Sequence, residues 1–212
     1  MSESSVQAAK DALLALLNRG APSYKEKLNG KPTPTDVLAD SSFDEEMDLA
    51  SPSNGPTLKA IRTLANEQTD GGAVFQSVTV AALQILDRAV CYERRAAEAA
   101  LSLGQREKLE SMSKATRDAY TMLHRTLNAQ GAKVMDLCGE QRRADAPKND
   151  DPAWWFALTD AVEVLEEGTE RMASLTSAQP EGSPAHTLSA LIARLLRAHH
   201  DELLREAEQW ID

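Results

Sequence analysis

An all-α fold is predicted: an antiparallel up-down four-helix bundle with an N-terminal amphipathic helix on an extended arm. Three observations lead there. The aliphatic residues are 33 Ala and 26 Leu against 4 Ile and 9 Val, and Ala and Leu lose least on entering a helix while the β-branched residues that favour sheets are scarce. Four long stretches repeat apolar residues at spacings of three, four and seven, the period of one helix face. Gly and Pro clusters separate the stretches, which makes an antiparallel bundle the simplest way to bury four stripes.

The elements follow in chain order. Ser4–Arg19 reads as a helix with Val6, Ala9, Leu13, Leu16 and Leu17 on one side, closed by Gly20 and Pro22. From Gly20 to Gly71 five prolines and two Asn-Gly pairs break the pattern, so this is an arm or linker with one short helix expected over Thr57–Asn66. After Gly71-Gly72 comes a helix of about 30 residues, marked by Val74, Val78, Ala82, Ile85, Ala89, Tyr92, Ala96 and Leu103 and ending near Gly104. A second carries Leu109, Met112, Thr116, Tyr120, Leu123, Leu127, Val134 and Leu137, with a possible break at Gly131. Asp151-Pro152 announces the third, Asp as cap and Pro at the first helical position; its stripe is Trp155, Leu158, Val162, Leu165, Thr169, Met172 and Leu175. The turn Gln179–Pro184 leads into the last, with Leu188, Ile192, Leu195, Leu196, Leu203, Ala207 and Trp210. The expected divisions are residues 1–19, an arm over 20–71, and a bundle over 72–212.

Composition narrows the partners. Net charge is −10 from 23 Lys plus Arg against 33 Asp plus Glu, which repels nucleic-acid phosphates and anionic lipids. Nine aromatics in all leave little surface for stacking bases. No secretory signal pattern opens the chain and no window approaches 18 uninterrupted apolar residues. The two cysteines, Cys91 and Cys138, read as small core residues in a reducing cytoplasm. Cytoplasmic placement is therefore expected, with neither nucleic acid nor membrane as partner.

Phosphate-binding glycine loops, dinucleotide fingerprints, nucleophile elbows and Cys-x-x-Cys pairs are all missing from the sequence. No catalytic residue and no cofactor is assigned. One constellation points to chemistry: His199 lies in line with Ile192, Leu195 and Leu203, with Glu202 three residues on. Counting along an up-down bundle puts His124 level with Glu166 and His199 near Glu163. Inward His and Glu from several helices are what a bundle needs to hold iron, manganese or zinc. His124, Glu166, His199 and Glu202 are thus the candidate metal ligands, although the Glu-x-x-His pairs of ferritin-like sites are missing. The run Tyr92–Glu98 is expected to be a solvated face with intrahelical ion pairs rather than an anion site.

The function expected is non-catalytic: protein–protein interaction or self-association by an adaptor, scaffold or oligomeric component. Candidate contacts are Leu13 and Leu17 on the N-terminal helix, Phe43 and Met47 among the acids of the arm, and Trp154 and Trp155 beside Phe156, since Trp is enriched at binding hot spots. A metal-binding bundle with redox or oxygen chemistry is the alternative.

Overall fold

The computed structural model describes residues 55–67, 72–129 and 151–208, and every element among them is a helix. They are α1 (Gly55–Glu67), α2 (Ala73–Ala99), α3 (Leu103–Ala129), α4 (Asp151–Ser177) and α5 (Pro184–Glu208). The candidates Leu13, Leu17, Phe43 and Met47 lie outside the described residues, as do Val134, Leu137 and Trp210.

Local chemistry sets the helix ends. The Ser102 hydroxyl accepts a hydrogen bond from the Gln105 backbone N–H at 3.2 Å, capping α3 after the three-residue link from α2. Ser183 does the same for His186 at 3.2 Å with Pro184 as the first helical residue. Gly182 turns the chain there at φ 74°, a backbone conformation for which the missing Cβ is needed.

The predicted stripes are the core. Val78, Ala82, Ile85, Ala89 and Ala96 from α2 join Leu109, Met112 and Leu123 from α3. Leu158, Val162 and Leu165 of α4 pack with Leu188, Ile192 and Leu195 of α5 in the same cluster. Among the described residues only the stripe ends fail: Val74 and Leu103 stand exposed in the first turns of their helices. The short helix at the end of the expected arm is not peripheral. α1 packs on α3 and α5, and its Ile61 and Ala65 belong to that cluster.

α5 is the central helix, in contact with all four others, while α2 packs against α3, α4 and α5. By length and composition α2 could also cross a membrane, yet Phe75, Leu83, Ile85 and Leu86 are spent in this core. At Gly168 of α4 a Cβ would come within 2.8 Å of the Ile85 methyl and 3.2 Å of Leu196, so the glycine sets how closely α2 and α5 approach α4.

Contacts between helices fix their directions. Going forward along α2 from Ile85 through Arg88 to Arg95 meets α4 going backward from Gly168 through Glu167 to Asp160. Along α3, Lys108 meets Glu206 and Thr116 meets His199, so α3 and α5 also run opposite ways. α2 opposes α3 as well, since the two pack along each other and only three residues link the end of one to the start of the other. Short links join α2 to α3 and α4 to α5. Hence α3 and α4 run in the same direction, and they are not packing neighbours. A strict up-down alternation would make them opposite. The 21 residues between Ala129 and Asp151 suffice to return the chain along the full length of a helix.

Cys91 takes part in a disulfide, which corrects the expectation of a reduced core residue and removes one support for a cytoplasmic placement.

Candidate functional site

The densest polar chemistry lies inside the helices. On α2, Glu93 comes four residues after Ala89 and three before Ala96, so helical geometry turns it inward with them. From α5, His199 projects to the same height one turn after Leu195 and Leu196, and from α3, Thr116 follows Met112 by one turn. All three side chains are fully buried. His199 Nδ1 and Glu93 Oε1 are hydrogen-bonded at 2.6 Å, a distance that requires a proton between them. The Thr116 hydroxyl donates to the same oxygen at 3.1 Å and lies 3.2 Å from Nδ1. Glu93 Oε2 has no hydrogen-bond partner.

One and two turns further along α5, Glu202 and Glu206 are also buried. Both carboxylates meet Lys108 of α3, Glu206 at 2.6 Å, and Arg205 holds the other Glu202 oxygen at 2.7 Å. Two cations thus answer two anions. On Lys108, desolvation pulls the ammonium down, but hydrogen bonds and charge from Glu202 and Glu206 together outweigh it and hold the group above its ordinary value.

The structure does not bring the four candidate metal ligands together. His199 is taken by Glu93, and Glu202 by Lys108 and Arg205. His124 is half-buried on α3, stacked on Tyr120 and 3.1 Å from Asn128 Nδ2. Glu166 is half-buried on α4, a helix that α3 does not pack against. Among the described residues no three His, Cys, Asp or Glu side chains are grouped to hold a metal. Glu163, expected near His199, faces outward.

Two further expectations are corrected. Glu93 was placed on a solvated face, where only its neighbours belong: Arg94 pairs with Glu98 at 2.8 Å and Arg95 lies over the Tyr92 ring. Trp154 and Trp155 offer no surface, being 0% and 3% exposed in the core, while Phe156 at 38% is the outward member of the trio. Adjacent side chains on a helix diverge by about 100°, so one of three had to face out.

The geometry limits what the buried centre can do. A hydroxyl nucleophile, a base and an orienting acid need the hydroxyl on one imidazole nitrogen and the acid on the other. Here Thr116 and Glu93 converge on the same Nδ1, and none of the three is exposed. The centre can tie α2, α3 and α5 together in one register, the best-attested role of buried polar groups. Thr116, Lys108 and Glu206 were not singled out from sequence, although the heptad from His199 to Glu206 was a usable signal. No protein-family model, curated protein or solved structure matches this chain.

Proposed function

We propose that this chain is a non-catalytic protein whose four long helices form one bundle and whose work is contact with a protein partner or with a second copy of itself. The observation that carries the reading is at one end of the bundle. The directions of the helices put the starts of α3 and α4 at the same end, and each start holds a large exposed apolar side chain, Leu103 at 70% and Phe156 at 38%. In a chain whose other described leucines are buried or packed against the core, apolar side chains flanking one end suit a contact surface. The buried groups agree with this reading, because Glu93, Glu202 and Glu206 each meet a side chain of a neighbouring helix rather than a substrate-sized opening.

The full chain carrying L103S and F156S tests it. Sedimentation of wild type at rising concentration, and pull-down with the chain as bait, should reveal self-association or a stoichiometric partner. The double variant should lose that association while its melting temperature stays within a degree or two of wild type, since exposed sites contribute little to stability. A wild type that stays monomeric and recovers no stoichiometric partner would overturn the reading.

A further inference from the structure

Above the buried centre, α2 and α3 leave a cleft of about 240 Å³ lined by Arg94, Ala97, Glu98, Glu110, Ser113, Lys114 and Arg117. Its charges are not all used. Arg94 is paired with Glu98, but among the described residues Lys114 and Arg117 form no ion pair. Ser113, in the same wall, is only 5% exposed, and its hydroxyl has no hydrogen-bond partner. Ala97 opposite supplies no bulk. A buried hydroxyl left unbonded is destabilising, which makes it a group in search of an acceptor.

We propose that this cleft binds a small oxyanion, a phosphate- or carboxylate-bearing molecule. Arg117 and Lys114 supply charge-assisted donors, and Ser113 turns its hydroxyl to the same oxygens. Planar guanidinium beside a hydroxyl is suited to such groups. Glu110, one turn before Lys114, sets the rim, where it favours a ligand that also carries a hydroxyl or ammonium donor. The overall charge of −10 does not forbid this, because beyond about 8 Å it is screened at physiological salt and the nearest charges in the cleft are three cations against two carboxylates.

Calorimetric titration of the full chain with inorganic phosphate, and separately with malonate, at constant ionic strength tests the site. Saturable one-site binding of either anion is expected, and the better of the two identifies the headgroup. K114Q/R117Q changes only exposed side chains and should weaken that binding by about tenfold or more, the worth of one charge-assisted hydrogen bond. S113A should weaken it by a smaller factor. Absence of saturable binding of both anions, or equal binding by K114Q/R117Q with unchanged circular dichroism, would overturn the proposal.

Discussion

At the scale of single residues, the deciding energies are those of groups buried with their partners. Removing one member of a buried ion pair leaves the other stranded, which typically costs about 3–5 kcal/mol, whereas replacing both by apolar side chains is often far cheaper. His199→Ala should therefore lower the unfolding free energy by about 3–5 kcal/mol, since Glu93 keeps only the Thr116 hydroxyl. E93L/H199L should lose clearly less than the two single leucine variants added together. Chemical denaturation at fixed pH measures both, and strict additivity would show that the pair does not act as a unit. Asp160 makes an opposite case near the surface. Partial burial raises its carboxyl above the ordinary aspartate value, and the Arg95 charge offsets only part of that. A group raised in the folded state favours folding when protonated, and that contribution is lost as pH climbs through the folded value. Asp160→Asn should thus stabilise the protein near neutrality, by about 0.5 kcal/mol or less at so exposed a position. The gain should vanish below roughly pH 4, and a melting-temperature difference that grew on acidification would contradict the sign.

At the scale of elements, helical periodicity was legible because each stripe is long and the core is made of Ala, Leu and Val. Boundaries and inner polar positions were less so. Glu93 sits between Ala89 and Ala96 on the inner face, yet its neighbours Arg94, Arg95 and Glu98 make the segment read as solvated. Charge density along a helix hides the one position that periodicity turns inward. Gly168 was equally silent in sequence, since an isolated glycine inside a helix only lowers propensity. Its role depends on Ile85 and Leu196, which lie on other helices. Two effects oppose each other in Gly168→Ala: helix propensity gains about 1 kcal/mol, while overpacking costs about 1–3 kcal/mol. The contact is with a methyl on the branched Cβ of Ile85, which cannot swing away as the tip of a long side chain would, so packing should win. Gly168→Ala should lower the melting temperature, and I85A in the same chain should recover part of that loss relative to I85A alone. A stabilised single variant would mean that the two helices part without cost.

At the scale of the whole molecule, helix direction was what the sequence could not supply, and one assumption about it accounts for the misplaced site. Strict alternation makes α2 and α5 antiparallel and separates Glu93 from His199 by about two helical turns. With α3 and α4 running the same way, α2 and α5 become parallel and the two residues meet at 2.6 Å. The 21 residues between Ala129 and Asp151 are enough to allow this. A helix of 27 residues is about 40 Å long, and about 12 extended residues are the minimum that can span it. Deleting about five of the 21 linking residues should leave the helical signal and melting cooperativity intact. Deleting about fifteen should force α4 to start at the other end or prevent folding. The disulfide at Cys91 makes a separate prediction, because the sequence has one other cysteine, Cys138. Peptide mapping without reductant should recover a Cys91–Cys138 cross-link, and reduction should lower stability by about 2–4 kcal/mol for a closed loop of this size. If instead the variant shortened by about fifteen residues folded normally, the shared direction of α3 and α4 would be wrong, and if mapping found both thiols free, so would the disulfide.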